Sequence, residues 1–203
     1  MLYVARHAST AHNSDHPTEE RIRGWGDIGI SAQGKAEAHA AADALRGTPP
    51  TLIFASDLPR AKETAELIAK ELGGIPVVAD QALRTWNVGR ITGQPVMTAK
   101  PQLDRLQHQK PTQPAPEGES YADFYRRWAK IVGQLRQVGK QEDVLVVVHG
   151  RQVYSLPNIL AHKGTTGIPT HGAPDPGDVL RVNEDTKRAE YAHRSGAKAK
   201  ATA

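Results

Sequence analysis

Two histidines and two arginines stand at chemically suggestive places in this 203-residue chain. Arg6-His7 directly follows the apolar run LYVA (2–5), and His149-Gly150 directly follows VLVVV (144–148). Arg60 lies in SDLPR (56–60), at the end of the apolar run TLIFAS (51–56). An imidazole can serve as nucleophile or as acid/base near neutral pH. A guanidinium is a fixed cation whose fork of donors suits phosphate. Any one of these residues in isolation is more often a structural or surface side chain. As a set they describe a cationic box for a dianionic phosphoryl group, with one imidazole placed to attack it.

That chemistry needs elements that bring the four residues together. Residues 1–5 read as a short strand, followed by a polar loop over about 8–30. Ser31 reads as the N-cap of a helix, SAQGKAEAHAAADALR, that Thr48-Pro49-Pro50 breaks. Residues 51–56 form a strand that runs into a helix over about 57–72, ended by Gly73-Gly74. The free N–H groups of that helix's first turn favour an anion near Arg60. IPVVAD (75–80) is a further strand, and 81–118 is an irregular excursion with one short helix near 99–109. A long amphipathic helix spans 119–138, with Phe124, Trp128, Ile131 and Leu135 on its core face.

The β-branched run ending at His149 reads as a fully buried strand, followed by a helix over about 151–161. A terminal hairpin pairs 178–182 with 189–193. This gives one domain, 1–193, and a disordered basic tail, 194–203. Alternating strands and helices predict an α/β sandwich with a mostly parallel sheet. Ligands in such sheets sit at the carboxyl ends of strands, where His7, Arg60 and His149 are.

Composition narrows the class. There is no cysteine, which excludes a disulfide framework, thiolate catalysis and cysteine-based zinc sites. No stretch has the apolar length of a membrane span, and residues 1–5 are too short for a signal-peptide core. The expectation is a cytoplasmic protein with no membrane partner. The formal charge of +4 suits anionic substrates. No basic patch is interleaved with aromatics, so nucleic acid is not an expected partner. Neither a metal nor another cofactor is expected: His12 and His16 lie near His7, but their neighbours make no recognised ligand spacing. The pattern assigns no oligomeric state.

With those residues in place, the chain resembles the histidine phosphatase superfamily, the phosphoglycerate-mutase-like family. The matching stretches are RHAST (6–10) with Asn13, RGWGD (23–27) followed by ISAQG (30–34), SDLPRAKETA (56–65), GES (118–120) and VHG (148–150). Their order and spacing run from residue 1 to about 182. The resemblance implies a three-layer α/β/α sandwich and a phosphatase acting on a small phosphorylated substrate. It implies His7 as the nucleophile of a phosphohistidine mechanism, with Arg6, Arg60 and His149 binding the phosphoryl oxygens. It implies further that Asn13 helps hold the phosphate, and that Thr10, Arg23 and Gly24 lie where a substrate loop meets the ligand. No metal is required by such a site.

The chain departs from the family at the proton donor. Many members carry a glutamate in a segment resembling Leu-Arg-Glu, and here the segment is Leu83-Arg84-Thr85, with Asn87 where a nearby aspartate is common. Another branch has an aspartate after the second histidine, where this chain has Gly150. Ala8 stands where glycine is common, which narrows the room beside the phosphate. Three readings stay open. The acid comes from the 12–27 loop (Asp15, Glu19, Glu20 or Asp27); or the substrate has a good leaving group; or the pocket binds phosphate with little turnover. A mutase of the same family is the competing enzyme reading.

Overall fold

The computed structural model describes residues 1–13, 19–166, 168 and 174–195. Six strands form one sheet: β1 (Leu2–Arg6), β2 (Leu52–Ser56), β3 (Val77–Asp80), β4 (Val144–Val148), β5 (Val179–Asn183) and β6 (Arg188–His193), in the order β3-β2-β4-β1-β5-β6. β3, β2, β4 and β1 are mutually parallel; β5 joins β1, and β6 joins β5, antiparallel. The sheet is thus mostly parallel, with the terminal hairpin on one side.

Helices cover both faces. On one face lie α1 (Ala32–Leu45) and α2 (Pro59–Glu71), packed through Ala38, Ala41, Ala42, Ala61 and Ala65. Short side chains let the backbones of these helices approach the sheet closely, so a chain of modest hydrophobic content still closes a dense core. On the other face lie α4 (Tyr121–Val138) and α5 (Gly150–Leu160), with Trp128, Val132, Leu135 and Leu156 against Val144, Val146 and Val148. Covered from both sides, every residue of β4 is buried.

Two expectations shift by a residue or so. α4 starts at Tyr121, because Ser120 caps it by accepting from the Asp123 N–H at 3.1 Å. Its buried stripe is Phe124, Trp128, Val132 and Leu135, whereas Ile131 is half-buried. Steps of four, four and three residues keep that stripe on one side of a 3.6-residue turn.

The 81–118 excursion is more ordered than its sequence suggests. It holds two 3₁₀ turns, Gln81–Leu83 and Gly89–Ile91, then α3 (Val96–Asp104) running into a π-helical turn, Arg105–Gln109. Trp86, Ile91, Leu103, Leu106, Tyr121 and Phe124 make a separate small core beneath it. Of the expected tail, the Ser195 N–H donates to Asp178 at 2.6 Å, and the exposed Arg194 stands over the Tyr191 ring at 3.9 Å. Residues 196–203 lie outside the described residues.

Candidate active site

The strand register places the two histidines. β1 and β4 pair in parallel with Arg6 opposite Val148. The next residue on each strand is a histidine, and the His7 N–H continues the ladder to the Val148 carbonyl at 2.8 Å. The two imidazoles therefore meet edge to face, with centroids 5.1 Å apart. Both are buried.

Their protonation is set by their surroundings. The His7 Nδ1 lies 2.8 Å from the Ala8 carbonyl. A carbonyl only accepts, so Nδ1 carries the proton and the neutral ring keeps its lone pair on Nε2. Neither ring nitrogen of His149 has a hydrogen-bond partner. Burial first, and then the charges of Arg60 and the other arginines, hold both imidazoles well below the ordinary 6.5.

The arginines crowd in beside the two imidazoles. Arg6 reaches the Pro174 carbonyl at 2.9 Å and leaves its Nε unpartnered. Arg60, at the start of α2, is buried; it donates to the carbonyls of Gly24 at 2.7 Å and Gly26 at 3.0 Å, and its Nε is also unpartnered. Burial and the nearby Arg23 pull Arg6 to about 10 and Arg60 to about 9. Both are still cations at neutral pH, and a bound dianion would relieve their mutual repulsion. Arg23 meets Glu20 at 3.4 Å.

These groups open onto a cavity of about 440 Å³, whose lining includes Arg6, His7, Arg23, Gly24, Arg60 and His149. Six of the eight residues expected at the site are thereby brought together. Thr10 and Asn13 do not line it. Instead the Asn13 Oδ1 accepts from the Thr10 N–H at 2.9 Å and the Thr10 hydroxyl at 3.1 Å, tying off the turn after His7. Ala8, expected beside the phosphate, is fully buried in the sheet–helix core, and its N–H donates to Thr64 at 3.1 Å.

Thr85, at the position of the family's glutamate, is in the lining. Among the loop acids considered, Glu20 lines the cavity, Glu19 and Asp27 do not, and Asp15 lies outside the described residues. Sequence reasoning missed Lys100, Asp104, Gln107, Arg151, Tyr154 and Asp175, all in the same lining. α3 and the turn after it bring in three of them. Only the helical spacing Lys100-Leu103-Asp104-Gln107, every third or fourth residue, signalled a shared face. Among the described residues, no three His, Asp or Glu side chains gather as metal ligands.

The chain and its fold are similar to those of known proteins. The sequence pattern of the histidine phosphatase superfamily (branch 1) matches residues 2–191. The chain is 30% identical over 175 residues to the probable phosphoglycerate mutase GpmB of Yersinia enterocolitica, covering 84% of this chain and 77% of that protein. It superposes on the mycobacterial glucosyl-3-phosphoglycerate phosphatase Rv2419c, solved with VO3, at a TM-score of 0.73 and 25% identity, over 94% of this chain and 95% of that one. It also shares its fold with the alpha-ribazole phosphatase of Shigella flexneri, at a TM-score of 0.72 and 22% identity, over 94% and 93% of the two chains.

Proposed function

The chain belongs to the histidine phosphatase superfamily, and from that membership we propose that it hydrolyses small phosphomonoesters through a phosphohistidine on His7. The observation that carries this reading is the convergence of His7, His149, Arg6 and Arg60 on one cavity, with His149 and both guanidinium groups holding unpartnered nitrogen atoms. Buried polar groups without partners are costly, and the oxygens of a phosphoryl group are acceptors for all of them.

In the first step the His7 Nε2 lone pair attacks phosphorus. A P–N bond forms, the P–O bond to the alcohol breaks, and the departing oxygen takes a proton. Arg6, Arg60 and His149 bind the three remaining oxygens, and this positioning and charge stabilisation is most of what phosphoryl transfer asks of a protein. In the second step water attacks phosphorus, the P–N bond breaks, and inorganic phosphate leaves. We assign the proton donor to Glu20, which stands in the lining beside Arg23. The same carboxylate then accepts a proton from the attacking water.

The test is labelling by a phosphorylated substrate. Wild type should form an acid-labile, base-stable phosphoprotein and His7→Ala should not; equal labelling of the two sinks the mechanism. The relative named phosphoglycerate mutase favours a second reading, in which the phosphoryl group returns to another hydroxyl of the same molecule. Product analysis separates them: free phosphate for hydrolysis, a positional isomer for mutation.

A further inference from the structure

Arg151 is a partly buried cation to which no described residue offers a hydrogen bond or a counter-charge in contact. It is the second residue of α5, two positions after His149, and lies in the lining of the same cavity. Its guanidinium stands over the Trp86 ring at 5.6 Å, and Trp86 is fixed by donating its Nε1–H to the Glu119 carbonyl at 3.0 Å. Burial lowers its basicity. It makes no hydrogen bond or ion pair with any described residue. The carboxylate nearest in effect, Asp104, is taken up by Lys100 at 2.6 Å.

Arg127 shows what a structural arginine looks like here. It too stands over an aromatic ring, Phe124, at 5.5 Å. But it donates to the carbonyls of Ala82 at 2.7 Å and Arg84 at 2.8 Å, and pairs with Glu119 at 2.8 Å. Its donors are spent on the fold, whereas Arg151 belongs to the cavity lining and makes no such bonds with described residues. In the same lining, on the turn after α3, Gln107 is only 2% exposed, and its Oε1 is buried without a partner. So, among the described residues, the lining includes a fork of donors and a buried acceptor that the fold leaves without partners.

We propose that Arg151 and Gln107 form a leaving-group subsite, so that preferred substrates are phosphomonoesters whose alcohol portion bears a second anionic group next to a hydrogen-bond donor. Arg151 takes the anion as paired charge-assisted hydrogen bonds, and the Gln107 Oε1 takes the donor. The inference rests on the phosphatase reading for placing the first phosphoryl group at His7, but its test does not depend on turnover.

Affinities from calorimetry decide it, with matched probes on the wild-type and Arg151→Met pockets, both carrying His7→Gln so that no probe is hydrolysed during the titration. Phosphoserine is compared with phosphoethanolamine, which lacks the carboxylate; propanediol bisphosphate is compared with propanediol monophosphate. Wild type should prefer the member with the extra anion in one pair or both by about 10- to 100-fold. The pair that shows it tells carboxylate from phosphoryl. Arg151→Met should shrink that preference to within about 2-fold, and Arg151→Lys should recover part of it. Gln107→Leu should weaken phosphoserine more than the bisphosphate, which carries no donor beside its second anion. A wild type with no preference in either pair, or a preference that survives in Arg151→Met, overturns the proposal. Lack of His7-dependent phosphoserine hydrolysis would instead count against the phosphatase reading and leave the binding result standing.

Discussion

The carboxylate of Glu37 holds Ser9 twice, accepting from its backbone N–H at 2.7 Å and from its hydroxyl at 2.8 Å. The tether runs from the middle of α1 to the loop two residues past His7, and both partners are buried. Glu37→Ala strands a buried N–H and should cost about 1.5–3 kcal/mol, read as a lower urea midpoint at unchanged slope. Glu37→Gln keeps one acceptor and should cost less. Equal midpoints for wild type and Glu37→Ala would remove the tether from the account.

Gly34 serves the same contact from the neighbouring turn. A Cβ there would lie 2.1 Å from the Ser9 carbonyl oxygen, which is itself bonded to the Ser31 N–H at 2.8 Å. Neither backbone can move alone. Gly34→Ala should therefore destabilise by about 1–3 kcal/mol, with a weaker response of the melting temperature to inorganic phosphate as the loop shifts. Thermal melts with and without phosphate check both parts.

Acid should weaken the fold in two separate windows. His7 and His149 are held well below 6.5 by burial and by Arg60. Below about 6.5 the unfolded chain gains protons at these positions while the folded chain does not. Stability tied to them is complete above that value and is lost as pH falls. Glu184, hydrogen-bonded to Arg136 and held near 2, acts only later, below its ordinary 4.5. Urea midpoints should fall between pH 7 and 5 in wild type, and fall less in His149→Gln. A flat wild-type profile over that window contradicts the depressed imidazoles.

Assigning the acid to Glu20 makes the leaving group diagnostic. Glu20→Gln should reduce kcat/KM for an alkyl phosphate by about 10²- to 10⁴-fold. For p-nitrophenyl phosphate, whose phenolate departs without much help, the loss should be far smaller. Asp175 shares the cavity lining, so Asp175→Asn is the companion variant. If it, and not Glu20→Gln, shows the selective loss, the role passes to Asp175.

The strands, the paired helices and the four strand-end residues were legible because each rests on a local pattern. VLVVV ends at His149, LYVA runs into Arg6-His7, and alanine repeats at helical spacing. The outer wall was not legible. Residues 81–118 are rich in proline and glutamine, and what orders them is burial of Trp86 and Leu106 against Tyr121 and Phe124, far away in sequence. Arg151 and Gln107 do not stand out in the sequence for the same reason: one looks like any helical arginine, the other like any loop amide, until the fold brings both into one lining. Likeness alone places Thr10 and Asn13 at the ligand, and the four-residue turn they close explains why they bond each other instead.

Because Arg6 sits opposite Val148, the gap between the two imidazoles is the gap between neighbouring strands of a sheet. That makes it about as adjustable as a ladder rung: no single side-chain change can widen or narrow it without dismantling the layer that carries it. Lys100, Gln107 and Arg151 hang from helical turns instead. Variants seeking new substrates should tolerate mutation there, while the reacting centre stays fixed.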